Sequence, residues 1–100
     1  MRDDVIYLIA EIPDAHGVYE QPQTNERMVY VTVRSVGMRE RYEAMAHNRE
    51  PEYVFELADY AEYNAEKTCR YNGEIYSIIR THIKGNRMEL TAERSMPHDI

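Results

Sequence analysis

The chain has 100 residues, which is the size of one small domain with a modest core. Its formal net charge is -6, so its average surface repels nucleic acid and anionic lipid, and stable binding to either is disfavoured. The single cysteine, Cys69, cannot form an internal disulfide, which favours a reducing compartment.

The N-terminal apolar run is too short for a signal-peptide core or a membrane span, which indicates synthesis in the cytoplasm and no membrane contact. The run from Val5 to Glu11 predicts a first strand that is apolar on both faces, so it is either covered on two sides or meets a neighbouring subunit. Residues 12–27 follow with two prolines, a glycine and many polar residues, and predict a long exposed loop that orders against a partner.

Residues 28–34 predict a second strand, because three valines alternate with polar or aromatic residues. Residues 35–51 are an insertion with helical spacing, since Met38, Tyr42 and Met45 fall at i, i+4 and i+7. Ser35 or Gly37 can cap this short helix. Its apolar stripe either packs on the mouth of the fold or faces a partner, and both interpretations stay open.

Four further strands follow the insertion. Tyr53, Phe55 and Leu57 alternate in the first of them, and a polar connection leads from there to residue 66. Asn72-Gly73 then predicts a two-residue type I′ turn between paired strands, because that turn needs positive φ at both positions. A second turn at residues 84–86 leads to a last strand over residues 87–94.

The predicted fold is mainly β. Several short strands in so small a chain favour a partly closed antiparallel barrel of about six strands, with one short helix or long loop inserted between strands. The predicted core is the apolar set that repeats at period two in these strands: Val29, Val31, Val33, Phe55, Leu57, Ile79, Met88 and Leu90.

Residues for catalysis do not cluster in this sequence. The four histidines, at positions 16, 47, 82 and 98, lack the spacing of a metal site, and a glycine-rich phosphate loop is not present. Cys69 is interpreted as a small apolar residue of a strand. We therefore expect no enzyme activity, no catalytic residue, no cofactor and no metal.

Tyrosine is unusually frequent, with nine Tyr against one Phe and no Trp. Tyrosine suits positions where the ring is half buried and the hydroxyl reaches a partner or water. Tyr53, Tyr71 and Tyr76 are expected in the core. For four others, core packing and contact with a partner both stay open: Tyr30, Tyr42, Tyr60 and Tyr63.

The order of these features resembles the head-closure, or head-tail joining, proteins of long-tailed bacteriophages. The insertion reads S-x-x-x-R-E-x-Y-E-A, with R-E-x-Y-E-A at Arg39 to Ala44, and the hairpin matches Y-x-G-x-x-Y-x-I at Tyr71, Gly73, Tyr76 and Ile78. Many members carry a tryptophan in or near the second strand, a place for which Tyr30 is the candidate here.

The resemblance implies an SH3-like barrel that forms a ring of portal symmetry, expected to be dodecameric, in the neck of the virion. The ring would dock under the portal or its adaptor, help retain packaged double-stranded DNA, and offer an attachment surface to a tail terminator or tail tube protein. Arg39, Arg41 and Tyr42 would then lie near the DNA channel. Arg34, Tyr60 and Tyr63 would contact other subunits or partners, and Asn72 and Gly73 would form the rigid hairpin turn.

Two other functions compete with the ring. A small barrel that binds a peptide or an oligonucleotide is the main alternative, and it would be a stable monomer with a ligand in a groove. A small hydrolase would require a convergent cluster of ionisable side chains, which the spacing does not provide.

Overall fold

A computed structural model describes residues 4–12 and 23–95 of the chain. It contains six strands, one α-helix and one 3₁₀ turn over Tyr60–Glu62. The elements are β1 (Asp4–Ile12), β2 (Gln23–Ser35), α1 (Met38–Met45), β3 (Pro51–Leu57), β4 (Thr68–Tyr71), β5 (Glu74–Lys84) and β6 (Arg87–Arg94).

The six strands form one closed antiparallel barrel in the order β1-β2-β3-β6-β5-β4. Closure comes from β4, which pairs with β5 through the hairpin and with β1 through Tyr7 opposite Arg70 and Ile9 opposite Thr68. The predicted class, a mainly β protein with a small antiparallel barrel and one inserted helix, is confirmed. The barrel is closed where the sequence predicted partial closure.

The core lies inside the barrel and follows the period-two alternation of the strands. On β1, Ile6 and Leu8 are fully buried, and Ile6 lies opposite Val29. The predicted core is confirmed at most of its positions, and Val33 is partly buried against the same cluster. The buried cluster comprises Ile6, Leu8, Val29, Val31, Phe55, Leu57, Cys69, Tyr76, Met88, Leu90 and Ala92.

The prediction that Ile79 belongs to the core is wrong. The pairing of β5 with β6 shifts register between Ile78 and Arg80, so one residue is added to β5 at this point. Such a bulge reverses which residues face inward. Ile78 therefore packs against the core, whereas Ile79 lines a groove outside the barrel.

One end of the barrel is filled by four aromatic rings, at Tyr53, Phe55, Tyr71 and Tyr76. Their centroids lie between 5.2 and 6.4 Å apart, mostly in edge-to-face arrangements, which aromatic pairs favour. Tyr76 is buried and Tyr53 and Tyr71 are partly buried against the core, which confirms the interpretation of these three tyrosines.

An ion pair with one buried partner lies near the opposite end of the strands. Arg27 Nη2 is 2.7 Å from Glu66 Oε2, and the Glu66 side chain is only 4% exposed. Burial by itself would raise the pKa of Glu66, but hydrogen bonds from Arg27, from the Asn64 backbone N–H and from its own backbone N–H hold the pKa below its ordinary value. The neighbouring Cys69 is fully buried, and burial raises the pKa of its thiol to about 12, which disfavours the thiolate form.

The predicted loop over residues 12–27 is wrong at both ends. Ile12 belongs to β1, and residues 23–27 belong to β2, where Gln23 lies opposite Ile12 and Asn25 lies opposite Ala10. These polar residues form a strand because their backbone pairs with β1, which local composition does not reveal. Residues 13–22 lie outside the described part of the chain, and there the exposed loop that orders against a partner stays a prediction.

The hairpin between β4 and β5 has the predicted turn. Asn72 has φ of 51° and Gly73 has φ of 80°, which are the two positive values that a type I′ turn requires. A Cβ atom built at Gly73 has no heavy atom within 4 Å, so any penalty at this position comes from backbone conformation and not from a clash.

Truncation of Phe55 should therefore be far more destabilising than truncation of Ile79. We expect Phe55→Ala to cost about 3–5 kcal/mol, because the ring is fully buried and leaves a cavity. Ile79→Ala should cost about 1 kcal/mol or less, because that side chain is outside the core. Urea denaturation of the two variants measures the difference, and equal midpoints would contradict the bulge assignment.

Gly73→Val should destabilise the protein by about 1–3 kcal/mol, because a β-branched residue is strained at positive φ. Gly73→Asn is the matched control, since Asn tolerates this conformation and its cost should be smaller. Thermal unfolding of both variants tests the prediction, which fails if the valine variant is as stable as the asparagine variant.

Candidate interaction site

Helix α1 interrupts the chain between β2 and β3 and confirms the predicted inserted helix. Gly37 is its N-cap residue, with extended backbone (φ of -70°), and Arg41 N–H donates to Gly37 O at 2.9 Å. After the helix, Asn48 has φ of 61°, which turns the chain back toward β3. The chain thus leaves and re-enters the barrel wall at adjacent strands.

The helix is attached to the outer face of β6 by polar contacts. Thr91 Oγ1 donates to Glu40 Oε2 at 3.3 Å. Beyond the helix, Arg49 Nη1 lies 2.8 Å from Glu93 Oε2, and the Glu50 backbone N–H donates to Glu93 Oε1 at 3.0 Å. These bonds hold the inserted segment against one wall of the barrel.

The apolar stripe of α1 points away from the barrel. Met38 is 72% exposed, Tyr42 66% and Met45 53%, so the structure excludes the packing of this stripe on the barrel mouth. At 100° per residue, Glu40 and Ala44 lie on the opposite side of the helix, which is the side that faces β6. No residue of α1 is buried.

A solvent-facing apolar stripe on so short a helix is a candidate contact surface. Isolated helices of fewer than about 12 residues are marginal in water, and most helices in proteins are stabilised by burying an apolar face. Arg39 and Arg41 flank the stripe, and neither makes an ion pair with a residue that the structure describes. Met, Tyr and Arg are enriched in the contact surfaces of proteins.

A groove of about 480 Å³ lies between α1 and the barrel. Arg80 Nη1 is 3.7 Å from Glu43 Oε1 across this groove. Ile79, Arg80 and Thr91 form its barrel side, and the other lining residues are Glu40, Glu43, Ala44, Ala46, His47 and Arg49.

A second apolar surface covers the outer face of β1 and β2. Tyr7 is 39% exposed, Met28 47% and Tyr30 56%, and Tyr7 lies directly opposite Met28 in the sheet. Val5 lies opposite Tyr30 and is half-buried. We call these four residues the β1–β2 patch. The first strand is therefore apolar on both faces, as predicted.

The wall formed by β3, β5 and β6 has a different surface. Arg34 on β2 reaches across it to Glu89, with Nη2 to Oε2 at 3.3 Å, and Arg87 Nη1 lies 3.6 Å from Glu56 Oε2. His82 Nδ1 is 3.8 Å from Glu89 Oε1. Ion pairs cover this wall, whereas α1 and the β1–β2 patch expose apolar residues.

The three residues predicted to contact partners lie in two places. Arg34 is at the end of β2, and its guanidinium forms an ion pair with Glu89. Tyr60 is 47% exposed, and its backbone N–H donates to Asn86 O. Tyr63 packs against the core and donates its hydroxyl to Glu66 O at 2.6 Å, and burial, followed by the charge of Glu66, raises its pKa.

The sequence prediction missed the β1–β2 patch as a site. Its signal was present in the apolar residues on both faces of the first strand, but cross-strand register was needed to join Tyr7 to Met28. It also missed the burial of Glu66, which lies in a polar connection and whose partner Arg27 is 39 positions away in the chain. Local sequence patterns do not identify a pair of residues that are this far apart in the chain.

In the described parts of the chain, no group of three or more His, Cys, Asp or Glu side chains is placed to hold a metal ion. No described helix is long and apolar enough to cross a membrane. No model of a known protein family matches the chain, and no curated protein matches it. The likeness to head-closure proteins therefore stays a prediction. The structural observations that bear on function are the exposed surfaces of α1 and of the β1–β2 patch.

Replacement of the α1 stripe by glutamine should leave the barrel intact. A variant with Met38→Gln, Tyr42→Gln and Met45→Gln should unfold within about 0.5 kcal/mol of the parent protein per substitution, because these side chains are exposed. Val54→Gln is the control, since Val54 is fully buried and a buried unpaired amide costs about 1–3 kcal/mol. A large loss of stability in the triple variant would show that the stripe belongs to the fold.

Proposed function

We propose that this chain is a structural virion protein that forms a ring at the head-tail neck of a long-tailed bacteriophage. In this role it docks under the portal or its adaptor, helps retain packaged DNA and provides an attachment surface for the tail. The observation that carries the proposal is the stripe of Met38, Tyr42 and Met45, which is exposed on a helix that buries none of its own residues.

The energetics of α1 favour a role in assembly. The helix has eight residues, its N-cap makes no side-chain hydrogen bond, and its last turn contains no basic residue to interact with the helix dipole. Local terms therefore contribute little to its stability. A protein surface that covers the stripe would bury Met38, Tyr42 and Met45, which the isolated chain leaves exposed.

The architecture is compatible with the family that the sequence resembles. The helix is inserted between the second and third strands, where the S-x-x-x-R-E-x-Y-E-A motif lies. The positions matched by Tyr71, Gly73 and Tyr76 form the β4–β5 hairpin and part of the aromatic cluster. These motif residues therefore have physical roles in the barrel, which supports the resemblance.

The charge distribution suits transient contact with packaged DNA. A chain of net charge -6 does not hold a polyanion tightly, so DNA can move past it. Arg39 and Arg41 are exposed on α1 and make no ion pair with described residues, so they are available to a phosphate backbone. Their proximity to the channel, with Tyr42 between them, stays a prediction.

The groove beside α1 favours one alternative, a monomeric module that binds a peptide. Its volume of about 480 Å³ and its mixed lining of Ile79, Arg80 and Glu43 could accept an extended chain. The net negative charge makes an oligonucleotide the less favourable ligand. A stable monomer with a peptide in this groove would support the alternative over the ring.

An amber mutation in the gene, made in the virus or prophage that encodes the chain, tests the proposed function. We expect electron microscopy of the lysate to show heads without tails, either filled with DNA or emptied of it. The parent protein supplied from a plasmid should rescue the defect. The triple glutamine variant, although folded, should fail to rescue. The parent protein with Ile83→Gln is the matched control, since Ile83 is 54% exposed and lies outside both apolar surfaces.

Normal yields of infectious, tailed particles from the amber mutant would show that the proposed role is wrong. Full rescue by the triple glutamine variant would mean that the ring is right and the α1 stripe is not its docking element. Purified protein that stays monomeric at all concentrations and binds a peptide in the groove would favour the alternative.

A further inference from the structure

The two apolar surfaces lie on opposite walls of the barrel. In the closed order β1-β2-β3-β6-β5-β4, strand β6 is three steps from β1 in either direction. Helix α1 is attached to β6 through Thr91 and Glu93, whereas the β1–β2 patch is the outer face of β1 and its neighbour. The two surfaces therefore face away from each other.

This placement decides which contacts between copies can cover both surfaces. Pairing of α1 with α1 about a two-fold axis would leave the patch exposed and would bring Arg39 and Arg41 of both copies together. Pairing of patch with patch would leave α1 exposed. Contact between α1 of one copy and the patch of the next copy covers both surfaces on every copy. Because the two surfaces are opposed, this contact repeats head to tail.

The exposed area is sufficient for the core of such an interface. With about 200 Å² for each aromatic or methionine side chain, the α1 stripe exposes roughly 380 Å² and the three most exposed residues of the patch roughly 280 Å². Together they would form the apolar centre of an interface of about 1,600 Å², the size typical of specific complexes. The polar rim of that interface would come from the surrounding residues.

An acceptor oxygen at the edge of the patch is placed to bind an arginine of the helix. Arg70 Nη2 lies 2.5 Å from Glu26 Oε2, and this pair bridges β4 and β2 across β1 beside Tyr7. The second oxygen of Glu26 makes no bond to a residue within the described ranges, and it can accept from a guanidinium. Arg39 and Arg41 lie on the two flanks of the stripe, so one of them can supply that donor while the other stays exposed.

We propose that α1 of one copy docks on the β1–β2 patch of the next copy, with Met38, Tyr42 and Met45 against Tyr7, Met28 and Tyr30. This inference rests on the proposed ring and identifies the two faces that join its subunits. The contact is heterologous, so each copy donates one helix and accepts another.

Engineered cysteines test this contact. Cys69 is buried, so a cysteine at Met45 and another at Met28 would be the reactive thiols of a double variant. Under mild oxidation we expect Met45→Cys with Met28→Cys to give a ladder of dimers, trimers and larger species on non-reducing gels. Each single variant should give no disulfide-linked dimer. Met45→Cys with Ile83→Cys is the control, because Ile83 is exposed outside the patch.

Cross-linking is measured in concentrated purified protein and in lysates in which the variants replace the parent protein during phage assembly. A strong dimer from Met45→Cys alone would show two-fold pairing of α1 and overturn the proposal. An equal ladder from the Ile83 control, or no ladder from the double variant in either setting, would also overturn it.

The result is separable from the test of the proposed function. A reduced double-cysteine variant that supports phage assembly but forms no ladder on oxidation would leave the ring in place and refute these two faces. A ladder from purified protein, combined with normal virions from the amber mutant, would establish the contact and refute the neck role.

Discussion

The structure depends on the pairing of β4 with β1. Three residue pairs join these strands, from Tyr7 opposite Arg70 to Ile9 opposite Thr68, and they convert a six-stranded sheet into a closed barrel. Closure removes free edges along this seam and surrounds one set of side chains completely, which is how a chain this short fully buries Phe55, Leu57 and Leu90.

Because side chains alternate along each strand, every second one points outward from the closed barrel, and the outward residues differ from wall to wall. Around β6 they form ion pairs, such as Arg34 with Glu89. On β1 and the middle of β2 they are apolar, at Val5, Tyr7, Met28 and Tyr30, and α1 adds a second apolar surface on the opposite side. Exposed apolar surfaces of this kind are typical of sites that contact other molecules.

Prediction from the sequence was correct where the local signal was strong, and it was wrong where the pairing of strands changed the structure that the local signal favoured. The Asn72-Gly73 turn, the valine-rich β2 and the helix at Met38–Met45 were predicted correctly because turn chemistry and periodicity are local properties. Ile79 was misplaced because a one-residue bulge changes the inward face without changing the composition. The stripe on α1 was left open because periodicity identifies an apolar face but not the direction in which it points.

By itself, the sequence determined the number and kind of elements, the hairpin turn and most of the core, since each of these follows from backbone preferences or from alternation along one strand. Only the tertiary structure decided that Arg27 pairs with a buried Glu66, that Tyr7 and Met28 join in one exterior patch, and that this patch and α1 lie on opposite walls. The physical reason is that strand register and barrel closure bring together residues distant in the chain, and no local pattern in the sequence encodes which strands become neighbours.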